Sequence, residues 1–537
     1  MRRTACLFGL LLALVIVISG LSAQSSPRLV VILVVDQLRA DYLQTFNRHW
    51  QGGFRLLLDE GLNFDNARYP YLGTVTCAGH STIGTGTQPR THGMVSNTWW
   101  DRESRRMILC TGDPDTPDIT YGRPVRSGNS AKWMLAPTLA DELRAQRPGA
   151  RVVALSLKSY SAIGLAGHAG DAVVWFDDQA GSFATSRAYS PGPVPEVKAF
   201  IDGHPFEGDH GKVWTLSAPA STYVMRDAGV GERPLPGWSG LFPHPLVGRS
   251  GPDSQFFDLW QSTPFADAYL ERMAESLIDS FALGQRDTTD FLGISFSVLD
   301  DVGHRFGPES REIEEVLRQL DATLKRLIAH LDAKVGRLNY MLALTADHGV
   351  APIAMAPRGG RIAGEDVRER IDETLAAHFG PLAQGSYVEA TSFSDVFLAP
   401  GLLDRLRQAP STMLALEHAL KEIPGITHVL RADQLSDRSP DPVVKTAALS
   451  HIERRSGDLV LVPREYWYFA GRANATATTH GTLHEYDQHV PLIIFGGSAR
   501  RGHDRSTASP ADIAPTLARF AGIRMSKAEG RNLPGTW

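Results

Sequence analysis

The apolar positions of this chain fall into two rhythms. Short, nearly unbroken runs of aliphatic and β-branched residues form the first: LVVILVVD ending at Asp36, FLGISFSVLD at Asp300 and MLALTAD at Asp347. RVVALSL (Arg151 to Leu157) and VPLIIFG (Val490 to Gly496) have the same character. Runs of this length without a polar face predict strands buried on both sides, as in a parallel sheet inside an α/β protein. Between them, apolar residues recur at three- and four-residue spacing. That spacing predicts helices in LADELRAQ after Thr138, ADAYLERMAESLIDSFA after Phe265 and ADIAPTLARFAG near the C-terminus. It also predicts a long helix in SREIEEVLRQLDATLKRLIAHLDAKVG after Glu309, with a serine at its start. The expected class is α/β, a mostly parallel central sheet flanked by helices.

Three stretches break the alternation. Residues from about 97 to 135 mix charge, glycine and tryptophan with little periodicity. Those from about 182 to 261 are rich in proline, glycine and aromatics, and from about 387 to 468 a strand-helix-strand pattern runs out of step with the rest. They are expected to be insertions capping one core. Ligands of an open α/β sheet bind beyond the carboxyl ends of its strands. Three strands that each finish in aspartate would point their acids into one crevice.

At the N-terminus, Arg2 and Arg3 precede an apolar run from about Leu7 to Ile18, and Leu21-Ser22-Ala23 offers a small-residue cleavage site. Residues 1–23 are therefore expected to be a signal peptide, leaving 24–537 as the catalytic domain with its insertions. The run is short for a membrane span and no later stretch reaches that length. An exported chain, periplasmic or secreted and without membrane attachment, is expected; an uncleaved anchor is the alternative. Cys6 belongs to the leader. Cys77 and Cys110 are open to two readings, a disulfide or two separate thiols. Hydrophobic residues make up 43% and charged residues 21% of the 537, an ordinary globular composition. The net charge of −5, with no basic run interleaved with aromatics, excludes a nucleic-acid polymer as partner.

The strand-end aspartates come with histidines. Asp300 is followed by His304 in DDVGH, Asp347 by His348 in ADHG, and His480 stands in THG before the last strand. With Asp36 this makes three carboxylates and three imidazoles. Oxygen and imidazole donors together suit zinc, and six ligands exceed one tetrahedral site. Two Zn²⁺ ions, each with three protein ligands and an open position, fit the set; such a pair clamps both oxygens of a phosphoryl transfer.

VVDQ, TVTCAGH, DDVGH, ADHG and THG come in the order found in the alkaline phosphatase superfamily. The chain resembles its phosphodiesterase/nucleotide-pyrophosphatase branch, and most of all the bacterial phosphate-irrepressible alkaline phosphatases with a threonine nucleophile. The similarity covers nearly the whole mature chain, including GTQPRTHGMVSNTWWD and SLKSYSAIGLAGHAGDAVVWFD. The resemblance implies an alkaline-phosphatase-like core. It assigns Asp36, Asp347 and His348 to the zinc that activates the nucleophile, and Asp300, His304 and His480 to the zinc facing the leaving group. Thr76, four residues before His80, is then the nucleophile and itself a metal ligand. Bound to zinc, its hydroxyl can lose a proton without a general base.

The neighbours of Thr76 have plainer readings. Cys77 lacks the C-x-P-S-R setting of a sulfatase, and Ser81 lacks the spacing of G-x-S-x-G. His80 is expected to pack or hydrogen-bond rather than ligate, and HEYDQH is no zincin helix. For the substrate, Asn97 matches the family asparagine on a phosphoryl oxygen and Lys158 the lysine of the monoesterases. Those enzymes read K-x-R, and here Tyr160 stands where the arginine belongs. The expected function is a zinc-dependent phosphomonoesterase acting on small phosphorylated substrates through a phosphothreonine. A phosphodiesterase or nucleotide pyrophosphatase of the same fold is the alternative, and a metal-stabilised binding protein without catalysis the distant one.

Overall fold

The computed structural model describes residues 26–472 and 476–536; the expected signal peptide lies outside them. Among the described residues no helix is long and apolar enough to cross a membrane. Eleven strands form the central sheet. In chain order they are β1 (Leu29–Val35), β2 (Leu62–Phe64), β3 (Gly112–Thr120), β4 (Gly128–Asn129), β5 (Val152–Ser156) and β6 (Ala172–Asp177). β7 (Ser182–Ser186), β8 (Asp290–Phe296), β9 (Tyr340–Thr345), β10 (Leu492–Gly496) and β11 (Gly502–Asp504) complete the set. Across the sheet the order is β11-β2-β10-β9-β1-β8-β5-β6-β7-β3-β4. The centre, β9-β1-β8-β5-β6, is parallel throughout.

β1 is buried along its whole length, as the unbroken run LVVILVV requires. Its alternate residues feed two cores. Leu29, Val31, Leu33 and Val35 share one with Leu270 and Leu277 of α4 (Pro264–Ser280) and Leu320 and Leu324 of α6 (Arg311–Lys334). Val30, Ile32 and Val34 share the second with Ile83 of α1 (Thr76–Thr85), Leu143 of α2 (Leu139–Gln146), Ile163 of α3 (Ser159–Ala166) and Leu517 of α7 (Ile513–Phe520). Each fully buried aliphatic side chain of this kind contributes roughly 1.5–3 kcal/mol. Caps fix the helix starts. Thr138 closes a capping box with Asp141 at α2, and the Ser310 hydroxyl accepts from Ile313 N at α6.

Two expectations need correction in detail. The run VPLIIFG forms β10, which is antiparallel to β9. It follows the His480 loop at the edge where β9 ends, so it can only run back across the sheet. The run FLGISFSVLD does not end as a strand at Asp300. β8 stops at Phe296 and α5 (Val298–Phe306) begins, which puts Asp300 and His304 one helical turn apart on the same face.

Parts of the aperiodic stretches extend the central sheet. β3 and β4, from the first, and β7, from the start of the second, form its far edge. β3 is mostly half-exposed, and an edge strand without a buried face carries no strong apolar rhythm. The third stretch holds a separate four-stranded antiparallel sheet of Val388–Ser392, Asp395–Leu398, Leu459–Pro463 and Ile426–Arg431. Leu416, Leu420 and Leu461 belong to its own apolar cluster.

α1 is buried at all ten positions and packs against chain on two sides. A Cβ on Gly79 would overlap the Asp347 carbonyl oxygen and stand 2.6 Å from the Asp347 Cβ; one on Gly84 would overlap the Gly164 carbonyl in α3. Glycine therefore sets how closely Thr76 approaches the end of β9. Gly79→Ala is expected to lower stability by about 1–3 kcal/mol in denaturant titration and to lower activity with it. A variant as stable and active as the parent would show that the helix can move away freely.

Candidate active site

Every acidic and imidazole group expected at the site lies at the carboxyl edge of the parallel strands. Asp36 follows β1 directly, Asp347 and His348 follow β9, and Asp300 and His304 project from α5 after β8. His480 arrives on the loop that precedes β10. The carboxylates, His348 and His480 are buried, while His304 keeps some exposure. Ligand atoms of Asp300, His304 and His480 lie within 4.8 Å of one another, as do those of Asp36, Asp300 and His348. Asp347 reaches the second group through its Oδ2, 3.3 Å from His348 Nε2. The two expected triplets are thus contiguous, with Asp300 on their shared border.

The histidines are already oriented. Nδ1 of His304, His348 and His480 each donates to a backbone carbonyl at 2.9 Å, those of Thr478, Gly349 and Thr74. Each Nε2 is then the lone-pair nitrogen, turned toward the carboxylates: His304 Nε2 is 3.3 Å from Asp300 Oδ1, and His348 Nε2 is 3.5 Å from Asp36 Oδ1. Burial lowers the His348 and His480 pKa values, and His348 lowers that of His480 further, which favours the neutral, ligating form. Asp36 Oδ1 and Asp347 Oδ2 are buried acceptors with no hydrogen-bond partner. Orphaned carboxylate oxygens beside oriented imidazole nitrogens are the donor set a divalent metal ion takes. The residues fit that group.

Lys158, the residue before α3, reaches into the same cluster. Its Nζ donates to Asp36 Oδ2 at 2.8 Å and to Asp300 Oδ2 at 2.5 Å. Burial pushes the Asp36 carboxyl well above the usual range, and the Asp300 and Asp347 charges add to it; Lys158 works the other way. Tyr160, in the first turn of α3, is close enough for Lys158 to influence its phenol, whose pKa burial raises.

Thr76 is the first residue of α1, and its Oγ1 lies 3.2 Å from His348 Nε2. The hydroxyl therefore stands beside His348, whose Nε2 faces Asp36 and Asp347, at the positive end of a buried helix. Cys77 N donates to Asn97 Oδ1 at 2.8 Å, which leaves the Asn97 Nδ2 donor on the other side of the amide. Cys77 is joined to Cys110 by a disulfide, and Cys110 N donates to the Asn97 carbonyl at 2.9 Å. The bridge removes Cys77 as a nucleophile and ties the Asn97 segment to the start of α1. His80 engages both ring nitrogens inside the protein, with the Thr76 carbonyl at 2.9 Å and Ser295 Oγ at 2.7 Å.

Two site residues escaped the sequence reading. Asp487 accepts from Thr482 N at 2.8 Å and Thr482 Oγ1 at 2.6 Å, fixing the loop that carries His480. Burial raises its pKa to about 7. It sits within HEYDQH, a motif tested only for metal binding. Gln37 was visible as the last letter of VVDQ; it donates through Nε2 to Asp300 Oδ1 and through its backbone N to Asp347 Oδ1 at 3.1 Å.

Residues 30–487 match the family described as type I phosphodiesterase/nucleotide pyrophosphatase. The chain belongs to that family. It is a hydrolase of the alkaline phosphatase/phosphodiesterase kind, a metal-dependent family. It is 30% identical to alkaline phosphatase PafA of Elizabethkingia meningoseptica, over 95% of each chain. It is also 30% identical to a protein of Myroides odoratus named a calcium-transporting ATPase, over 93% of this chain and 92% of that one. Alkaline phosphatase PhoV of Synechococcus elongatus is likewise 30% identical, over 93% and 90%. The crystal structure of wild-type PafA superposes with a TM-score of 0.87 at 28% identity, covering 96% of this chain and all of that one. The family and the mostly parallel α/β core agree with the motif resemblance.

Metal bound by the folded chain adds to its stability. Dialysis against a chelator is expected to lower the thermal midpoint and abolish phosphate-ester turnover, and divalent metal should restore both. An unchanged midpoint with full activity would overturn the metal reading of the six ligands.

Proposed function

We propose that the protein is an exported phosphomonoesterase with two zinc ions, in which Thr76 is the nucleophile. The observation that carries this reading is the placement of Thr76 Oγ1, at the start of a buried helix, beside His348 Nε2, which itself faces Asp36 and Asp347. Asp36, Asp347 and His348 would hold one ion and Asp300, His304 and His480 the other. When bound, the ions would supply Lewis acidity to the threonine hydroxyl and to the leaving oxygen.

The chain's own groups do the rest. Thr76 Oγ1 attacks phosphorus as the P–O bond to the leaving group breaks, giving a phosphothreonine; water cleaves it and regenerates the hydroxyl. The start of α1 and Asn97 Nδ2 face the phosphoryl oxygens, where charge accumulates in the transition state. Lys158 Nζ, on a flexible stem beside the carboxylates, supplies a positive charge to meet a dianion. The disulfide and the Asn97 contact hold the first turn of α1 in register with these donors. Export is supported by the leader pattern of residues 1–23.

The diesterase reading is favoured by one residue. Tyr160 offers a neutral hydroxyl where related monoesterases carry a planar cation. A monoester brings two negative charges and a diester one, so losing that cation penalises the monoester more. Turnover of an aryl phosphate monoester and an aryl phosphate diester by the zinc-loaded protein decides between the readings; the ratio should favour the monoester. Protein that binds zinc yet turns over neither would be a binding protein.

Thr76→Ala is expected to reduce turnover by about a thousandfold or more while zinc stays bound, and Thr76→Ser to keep part of it. An active alanine variant would remove Thr76 from the mechanism. Tyr160→Arg is expected to raise monoester kcat/KM relative to diester by about ten- to a hundredfold, the worth of one charge-assisted hydrogen bond; Lys158→Ala should lower it. A ratio unmoved by Tyr160→Arg would mean that this position faces away from the phosphate.

A further inference from the structure

We propose that Gln37 is a positioning residue that holds the two ligand groups in register by orienting Asp300 and Asp347 together. The inference rests on the metal-binding reading of the site and adds a residue to it. Gln37 follows Asp36 at the end of β1 and is 1% exposed. Its φ is +70°, the left-handed region that a residue with a side chain occupies only where its surroundings enforce it. That turn aims two donors in two directions.

The backbone N–H of Gln37 meets Asp347 Oδ1 at 3.1 Å, and the N–H of His348 meets the same oxygen at 3.0 Å. Oδ1 is thereby taken, and Oδ2 is left without a hydrogen bond, 3.3 Å from His348 Nε2. The side-chain amide treats Asp300 likewise. Nε2 donates to Asp300 Oδ1 while Lys158 Nζ donates to Oδ2 at 2.5 Å, so a donor on each oxygen fixes the rotation of the carboxylate. A carboxylate only accepts, which settles the amide orientation: Nε2 toward Asp300, Oε1 away.

Oε1 then points at α5. A Cβ on Gly303 would overlap it, so the glycine of DDVGH is what admits the amide to the turn that carries Asp300 and His304. Oε1 itself is buried without a hydrogen-bond partner. A left-handed backbone and an orphaned acceptor both oppose folding. What they secure is one residue touching one carboxylate of each ligand group.

The test uses the full-length protein loaded with zinc. Gln37→Met keeps the length and removes the donor; Gln37→Gly removes the amide but keeps the N–H to Asp347 and relieves the left-handed backbone. Zinc is measured by elemental analysis and by competition with a chromophoric chelator. The parent should hold two ions. Both variants should surrender one of them about ten- to a hundredfold more readily, the usual cost of losing a partner that orients a ligand. kcat on an aryl phosphate should fall at limiting zinc and recover with excess zinc, with KM unchanged. Two ions held with parental resistance to the chelator in both variants would overturn the proposal, even if both were less stable. Parent protein that holds no zinc would overturn the metal reading, and this proposal with it.

Discussion

Three carboxylates buried together at one edge of a sheet repel one another, and much of the surrounding structure answers that repulsion. Two unit charges 4 Å apart interact by about 4 kcal/mol at the effective dielectric of a protein near its surface. Asp36, Asp300 and Asp347 are all buried, and burial alone already drives the Asp36 carboxyl toward its neutral form. Lys158 answers on two of the three, Gln37 places donors on Asp300 and Asp347, and three oriented imidazoles complete the shell. The oxygens left without partners, Asp36 Oδ1 and Asp347 Oδ2, both face His348 Nε2. Such a site is stable only with positive charge inside it, which is why the same groups that strain the fold can bind metal.

The sheet makes that convergence affordable. β8, β1 and β9 are adjacent and parallel, so the segments following them leave the sheet at one edge. Their side chains enter two cores by strict alternation, which holds register tightly, since a slip of one residue would exchange the two apolar faces. Thr76 then reaches the site from outside the sheet, on a helix whose glycines allow backbone-to-backbone approach. The disulfide from Cys77 to Cys110 adds a covalent tether at the same turn.

The parallel core was legible because β1, β5, β8 and β9 are apolar on both faces. The six ligand candidates were legible because short acid-histidine motifs recur after those runs. Where β8 ends was not, because SFSVLD has no breaker between strand and helix; the helix shows only in the four-residue step from Asp300 to His304. The direction of β10 depends on where its loop enters, which local pattern does not encode. β3 and β4 lack a buried face and so lack rhythm. The pairing of Cys77 with Cys110 needed three-dimensional proximity. Gln37 and Asp487 are polar residues whose importance lies in what they touch, and neither type at that spacing announces a contact.

The site also separates two demands by where their residues sit. The metal-ligand candidates hang on β1, β9, α5 and the Asp487-braced loop, each tied into the core or the backbone. Lys158 and Tyr160 instead begin α3, where Tyr160 keeps partial exposure and packs at the margin of the apolar cluster. A change of charge at Tyr160 would alter the field at Lys158, Asp36 and Asp300. The same exchange at Gln37 would disturb both ligand groups at once. On the proposed function, substrate preference would be set from α3 while the charge-compensated cluster is held from β1, β9 and α5, so that the two demands rest on different elements of one site.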